Sequence, residues 1–155
     1  MKLLRYFGVN DGSLPEIEIN FSSPEKVSQA FDFLLASNAQ DVTACGGHLW
    51  IKATQKDKPF TGSGDAALVI ADIADPFHVV LAGIISDGCK LPDIGVLVTQ
   101  SGLTIDYRMG STWGETEVKA LLILLKKTCE FGGTLSVPWW GADGEQVFME
   151  ALCRT

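Results

Sequence analysis

The chain has 155 residues, the usual length of one domain, and its 46% hydrophobic and 20% charged residues are typical of a globular protein. Nineteen Asp and Glu against twelve Lys and Arg give a formal net charge of −7, which repels nucleic acids and anionic lipid surfaces. These values exclude a disordered or fibrous chain, and they predict one globular domain over residues 1–155 whose partner is neither nucleic acid nor a membrane.

The regular structure is predicted to begin with a strand and a helix. Residues 17–21 alternate between apolar and polar, the period of a strand that has one face on a core. Ser23 and Pro24 then provide an N-cap and a first helical residue, and apolar residues recur at helical spacing over residues 27–35. Asn38 tolerates the left-handed conformation that closes many helices.

Five short segments rich in Val, Ile and Leu follow, separated by Gly, Pro, Asp and Ser, and they predict consecutive strands. The segments are residues 48–52, 67–73, 79–85, 94–99 and 103–107. The last two are expected to form an antiparallel hairpin, because the connection between them is short and Gly102 tolerates a positive φ. Residues 55–64, which contain one proline and two glycines, are predicted to form an exposed loop inside the domain.

The pattern becomes helical again from Glu115, where the apolar run 120–125 predicts a largely buried helix. Thr112 and Glu115 have capping-box spacing. A short strand at residues 135–137 and a last helix that opens at Asp143 complete the chain. Because the strands are not regularly separated by helices, we expect an α+β fold, with a mostly antiparallel sheet of about six to eight strands and three α-helices packed mainly on one face.

Neither a membrane span nor a secretory signal is indicated. The longest apolar run is far shorter than the roughly 20 residues that cross a bilayer, and residues 1–6 lack a long apolar stretch and a cleavage site. The four cysteines are scattered without paired spacing, which is typical of reduced thiols. We therefore expect a cytoplasmic protein.

Residues 61–67 contain the letters of a dinucleotide-binding fingerprint, Gly-x-Gly-x-x-Ala. That fingerprint binds phosphate where a strand delivers the glycines to the start of a helix with free backbone N–H groups. Here a polar loop precedes the glycines and a strand is predicted to follow them. This context favours a flexible loop, and no cofactor is expected.

Cys45 and His48 bring a thiol and an imidazole close together in sequence, and both side chains serve in nucleophilic catalysis. The alternative is a two-glycine turn that leads into a strand, where a half-buried His48 has no chemical role. The pair would provide only two of the four ligands that a closed zinc site needs. Cys45 and His48 are thus candidate catalytic residues, and no metal site is predicted.

The segment from Tyr107 to Glu115 leaves a strand and enters the buried helix with Arg108 and Trp113 on the way. Tyr, Trp, Arg and Met are enriched at the cores of interfaces because they bury a large area and keep a polar group. Tyr107, Arg108 and Trp113 are therefore candidate binding residues. The alternative is that Trp113 packs the helix start against the sheet while Arg108 pairs with an acid.

Trp139 and Trp140 follow a proline and precede a glycine, and two adjacent indoles in a turn do not easily point into one core. An exposed indole would stack on a ligand, fill a pocket of a partner or complete a dimer interface. Both tryptophans are therefore candidate binding residues. The alternative is that they pack under the last helix.

The sequence offers no convergent acid, base and nucleophile, so it favours a binding protein over an enzyme. The first hypothesis is a non-catalytic cytoplasmic protein that engages a protein partner, as inhibitor or immunity proteins do. Because the chain is acidic, basic proteins are among the candidate partners. The second is a small-ligand-binding protein or small hydrolase with a pocket near Cys45, His48, Tyr107 and Arg108. The third is a structural subunit that self-associates as a homodimer.

Overall fold

The structure, a computed structural model, describes residues 1–155. Its strands are β1 (Glu16–Phe21), β2 (Gln40–Asp41), β3 (His48–Ile51), β4 (Lys56–Pro59), β5 (Phe77–Ala82), β6 (Ile85–Ser86), β7 (Cys89–Lys90), β8 (Ile94–Val98), β9 (Gly102–Tyr107) and β10 (Gly133–Ser136). Its α-helices are α1 (Pro24–Ala36), α2 (Asp65–Ile70), α3 (Glu115–Cys129) and α4 (Gly141–Arg154). None of these helices combines the length and the apolar character needed to cross a membrane.

Six strands form the main sheet, in the order β10-β1-β9-β8-β5-β2, and every neighbouring pair is antiparallel. The strands β3 and β4 form one separate two-stranded ribbon, and β6 and β7 form another. The predicted α+β fold with a mostly antiparallel sheet is confirmed.

The alternation of side chains along the strands gives the sheet an inner and an outer face. Ile17 and Ile19 in β1 and Ile105 in β9 point inward and are fully buried, and α1 packs against both strands. All 36 buried hydrophobic residues belong to one cluster, so a single core lies between the inner face and the helices. The outer face carries none of this core.

The tight connection between β8 and β9 forms the antiparallel hairpin that the sequence predicts. Gly102, however, does not take a positive φ but lies within β9. A Cβ on Gly102 would lie 2.2 Å from the carbonyl oxygen of Ile19 on the neighbouring strand. The glycine is thus required by the close approach of two strands and not by the turn.

The prediction of a strand over residues 67–73 is wrong, because residues 67–70 belong to the helix α2 and residues 71–73 form the turn after it. Gly64, with φ +91°, precedes the helix, and the buried Asp65 carboxylate accepts hydrogen bonds from the backbone N–H groups of Thr61 (2.7 Å) and Gly62 (2.9 Å). Ala66 and Val69 are buried on the same side of α2. A short apolar run fits a buried helix as well as a strand, and the glycine turn decides between them here.

The glycine-rich turn at residues 61–64 therefore does precede a helix, contrary to the prediction. The Asp65 carboxylate already accepts the N–H groups of Thr61 and Gly62, so these donors are not free for a phosphate. Lys58 donates to the same carboxylate at 2.6 Å. The turn is held by its own aspartate.

Two further segments differ from the predictions. The loop expected over residues 55–64 contains the strand β4, whose charged residues pair with β3 in a ribbon largely exposed to solvent. The strand expected over residues 79–85 ends at Ala82, because Gly83 takes a φ of +80° before the short strand β6 begins. A strand of charged residues such as β4 shows no alternation of apolar and polar residues, and a bend at one glycine does not interrupt an apolar run. The predictions depend on such alternation and on such interruptions.

The starts of α3 and α4 also differ. The expected capping pair of Thr112 and Glu115 does not form; instead the Glu117 carboxylate accepts the backbone N–H of Gly114 at 3.0 Å. The last helix begins at Gly141, directly after a 3₁₀ turn, and not at Asp143. Such shifts are common where a turn of 3₁₀ helix runs into an α-helix.

Candidate functional site

Tyr107 and Trp113 lie inside an aromatic cluster and not on a recognition surface. The Tyr107 ring stacks on Phe7 at 4.5 Å between centroids, and its hydroxyl donates to the carbonyl oxygen of Tyr6 at 2.8 Å. Burial raises the pKa of Tyr107 well above its ordinary value. Trp113 is 3% exposed, and its indole N–H donates to the carbonyl oxygen of Arg108 at 2.9 Å. Both side chains pack the start of α3 against the sheet.

The two adjacent tryptophans have different environments. Trp140 is buried and stacks on Tyr6, with ring centroids 4.4 Å apart and planes only 3° from parallel, and it meets Phe148 edge-on. Trp139 is 57% exposed. Of the aromatic candidates from the sequence, only Trp139 thus presents its ring to solvent.

Cys45 and His48 are both exposed, near the start of the ribbon formed by β3 and β4. Cys45 has a φ of +63°, in the turn that precedes β3. No hydrogen bond joins the two side chains, and neither lines the largest cleft of the molecule. The structure therefore places the candidate catalytic pair away from the polar residues described next.

The outer face of the main sheet is uncovered. Its residues are exposed or half-buried, apart from Gly95 and Gly102, and they include no Phe, Tyr or Trp. The six strands contain no Lys or Arg at all, although the chain has twelve such residues. The outward side chains are Glu16, Glu18 and Asn20 on β1, Thr104 and Asp106 on β9, Gly95 and Leu97 on β8, His78, Val80 and Ala82 on β5, and Thr134 and Ser136 on β10.

Negative charge is concentrated where β1 and β9 meet on this face. Glu16 lies directly opposite Asp106 in the register, and Glu18 lies opposite Thr104. Neither glutamate takes part in an ion pair or a side-chain hydrogen bond. Like charges that face each other across two strands destabilise a sheet. The opposition of Glu16 and Asp106 therefore does not stabilise the sheet.

One polar interaction crosses the centre of the outer face. His78 on β5 and Asp106 on β9 are two strands apart, yet the imidazole Nε2 lies 2.6 Å from the carboxylate Oδ2. The imidazole reaches across because Gly95 occupies the strand between them. A Cβ on Gly95 would lie 2.3 to 2.5 Å from both side chains, so any larger residue would push the pair apart.

The largest cleft of the molecule, of about 820 Å³, lies at the end of the outer face beside this pair. Its floor consists of His78, Val80, Gly95 and Asp106, and its walls come from three loops. These wall segments are residues 10 and 14, residues 92–93 and residues 108–112. The cleft thus contains Arg108 and the backbone side of Tyr107 from the predicted site, with His78 in place of His48.

The sequence interpretation missed His78, Gly95 and Asp106 as a group. Alternation with buried neighbours does place His78 and Asp106 on the solvent side of their strands. Their meeting depends on strand order, and the order β9-β8-β5 with glycine in the middle strand is not encoded in any local pattern. The only available signal was the presence of an outward histidine, an outward aspartate and a glycine on three predicted strands. That signal indicates a His–Asp contact only if the glycine-containing strand lies between the other two.

No group of three or more His, Cys, Asp or Glu side chains is placed to hold a metal ion. Comparisons of the chain with models of protein families, with curated proteins and with solved structures give no match. The functional assignment therefore rests on the geometry of the outer face and its cleft.

Proposed function

We propose that this protein is a non-catalytic binding protein, and that its outer sheet face docks on a basic protein partner in the manner of an inhibitor. The observation that carries the proposal is the charge on this face. Three outward carboxylates, Glu16, Glu18 and Asp106, lie on two adjacent strands of a sheet without a single Lys or Arg. Complementary charge both steers association and fixes the orientation of a complex.

The form of the face supports docking. An antiparallel sheet that has one side on the core presents its other side as a broad, rigid surface. Three of the outward residues, Gly95, Ala82 and Ser136, are small. The exposed apolar part is limited to half-buried Val80 and Leu97, so electrostatic attraction, and not apolar burial, is expected to dominate the interaction.

The unfavourable opposition of Glu16 and Asp106 also supports this role. Residues that serve a binding surface often reduce the stability of the free protein, because their partners are supplied only by the complex. A basic side chain of a partner placed between the two carboxylates would turn the repulsion into two attractions.

The test compares two variants that remove three negative charges each. The first, Glu16→Gln/Glu18→Gln/Asp106→Asn, changes the outer face, and the second, Asp143→Asn/Glu145→Gln/Glu150→Gln, changes α4. Binding to immobilised basic proteins, cytochrome c and lysozyme among them, is measured by biolayer interferometry at low and high salt. We expect the first variant to lose about tenfold or more in affinity and most of its salt dependence.

The second variant should lose about threefold at most, since its charges lie on another side of the molecule. Equal losses in both variants would mean that only the net charge matters, and would overturn the proposed docking face. Binding of the wild-type protein that does not depend on salt would overturn the electrostatic basis. Circular dichroism spectra of all three proteins verify that each is folded.

A further inference from the structure

The cleft at the end of the outer face has a feature that docking on a basic partner does not use. Arg108 is the only Lys or Arg among its lining residues. The Arg108 guanidinium makes no side-chain hydrogen bond, and no carboxylate lies within 4.0 Å of it. An unpaired guanidinium inside a concave site is a ready partner for a carboxylate.

The loop that carries Arg108 is held in place from behind. The Arg108 carbonyl accepts the Trp113 indole N–H, the Gly110 N–H donates to the Phe7 carbonyl at 2.7 Å, and the Trp113 N–H donates to the Gly110 carbonyl at 3.2 Å. These bonds anchor the loop to the buried aromatic cluster. A loop fixed in this way loses little conformational entropy when a ligand binds.

The same loop offers further donors to an anion. Ser111 and Thr112 are exposed, and neither the backbone N–H groups nor the hydroxyls of these residues donate a hydrogen bond within the protein. Both residues line the cleft together with Arg108. One wall of the cleft thus combines a guanidinium with uncommitted N–H and O–H donors, the chemistry that binds a carboxylate.

The opposite charge lies nearby. Asp93 lines the cleft, is exposed and has no hydrogen-bond partner in the protein. Asp106 also lines the cleft and binds His78 through Oδ2 alone, so its Oδ1 makes no hydrogen bond within the protein. Ile94 pairs with Tyr107, and the next positions outward in this register are Asp93 and Arg108. Asp93 and Arg108 therefore lie at the ends of adjacent strands, but their side chains form no ion pair with each other.

No nucleophile is activated at this site. His78 is the only imidazole in the cleft, and no Ser, Thr or Cys side chain hydrogen-bonds to it. A hydroxyl or thiol held by the imidazole is what nucleophilic catalysis requires. The arrangement thus favours binding of a ligand over hydrolysis of one.

From these observations we infer that the cleft binds a ligand that carries both a carboxylate and a cationic group, with the carboxylate on Arg108, Ser111 and Thr112 and the cation on Asp93 and Asp106. The cleft volume of about 820 Å³ lies within the range of small-molecule sites. A free amino acid and the C-terminal residue of a basic peptide share this chemistry. The site shares Asp106 with the proposed docking face, but its ligand occupies the cleft and its carboxylate needs Arg108, which the docking proposal does not use.

The test uses three related probes. L-arginine carries all the groups, L-argininamide lacks the carboxylate, and Nα-acetyl-L-arginine lacks the α-ammonium. Each is titrated into the ¹⁵N-labelled protein, and the amide signals of Gly95, Gly110 and Ser111 are followed by NMR. We expect saturable shifts at these amides with L-arginine, and binding of L-argininamide that is weaker by about tenfold or more.

The acetylated probe distinguishes the two sources of the ligand. Binding of Nα-acetyl-L-arginine as tight as that of L-arginine assigns the site to the end of a peptide chain, in which the α-nitrogen is acylated. Loss of its binding assigns the site to a free amino acid.

Variants identify the groups that bind. Arg108→Gln should bind L-arginine and L-argininamide equally weakly, while Asp93→Asn should weaken both probes and preserve the preference for the carboxylate. Arg154→Gln, which removes an exposed arginine of α4, is the matched control and should leave all three titrations unchanged. The inference is overturned if L-arginine gives no saturable shifts at tens of millimolar, if the amide binds as tightly as the acid, or if Arg108→Gln keeps the preference.

Discussion

Asp65 and Asp106 each hold a nitrogen-bearing side chain at 2.6 Å, Lys58 in one case and His78 in the other, yet the two carboxylates serve the molecule differently. Asp65 is 2% exposed and accepts from Lys58 and from two backbone N–H groups within seven residues along the chain. Asp106 is 19% exposed, has one partner that is 28 residues away, and has a second oxygen that makes no hydrogen bond within the protein.

The comparison separates a structural carboxylate from an available one. Burial raises the pKa of Asp65, but the hydrogen bonds from Lys58, Thr61 and Gly62 outweigh it, so the pKa lies below the ordinary value of 3.8. All its bonding capacity is used to close a turn. The remaining capacity of Asp106 is what a ligand or partner can use, and this difference can be measured.

The largest effect is expected from Asp65→Asn. The amide oxygen can still accept both backbone N–H groups, but the amide NH2 would take the place of the oxygen that faces the Lys58 ammonium. Because the ion pair is lost and two donors then face each other, the free energy of unfolding should fall by about 2–3 kcal/mol. Urea denaturation followed by circular dichroism measures this loss. The matched variant Asp106→Asn should lose less than about 1 kcal/mol, because its pair is open to solvent. Equal losses would break the distinction between the two carboxylates.

A smaller loss, of about 1–2 kcal/mol, is expected from Gly95→Ala, because the new Cβ would overlap both His78 and Asp106. The double variant Gly95→Ala/His78→Ala should be more stable than Gly95→Ala alone, since it removes one of the two clashing side chains. The comparison of the two unfolding midpoints checks this. If the double variant is the less stable one, the glycine serves the backbone and not the pair.

The stability contributed by Asp65 should also depend on pH. Because the pKa of Asp65 is lower in the folded than in the unfolded protein, its contribution is fully present above the ordinary value of 3.8 and is lost as the pH falls through the folded-state pKa. The difference in unfolding free energy between the wild type and Asp65→Asn should therefore be constant near neutral pH and narrow below about pH 4. Denaturation curves between neutral and acidic pH test this, and a gap that widens in acid would contradict it.

The smallest effect is a gain. Glu16→Gln removes the negative charge that faces Asp106 across the strands, so the free energy of unfolding should rise by a few tenths of a kcal/mol. The gain should shrink at high salt, which already screens the two charges. Thr104→Val at the same face tests whether any change of an outward side chain has this effect. A loss on removal of Glu16 would mean that this residue supports the fold.

Much of the fold follows from local patterns. The alternation in β1, the proline at the start of α1 and the short connection from β8 to β9 are each determined by neighbouring residues, and the structure agrees with the predictions made from them. The helix α2 was not predicted, because its apolar run is too short to show a helical period. Its first residue, Asp65, accepts a hydrogen bond from the backbone N–H of Thr61 in the turn before the helix. Local patterns cannot weigh such a bond against strand propensity.

The candidate site was predicted only in part. Arg108 lies in the cleft, and Trp139 is exposed. The large aromatic groups Tyr107, Trp113 and Trp140 were candidates because of residue type, but residue type does not distinguish a buried anchor from an exposed one. His78 and Asp106 meet only through the order of three strands, which is a global property of the fold. Sites built across strands are therefore the part that the sequence alone leaves open.

The distribution of charge has a consequence for motion before contact. The main sheet has no Lys or Arg, whereas on α3 three lysines outnumber two glutamates. An uneven distribution of charge gives a protein an electric dipole moment, on which the field of a charged partner exerts a torque. If the outer face docks on a basic partner, as proposed, that torque would turn the face toward the partner within about 8 Å at physiological ionic strength, before the surfaces touch.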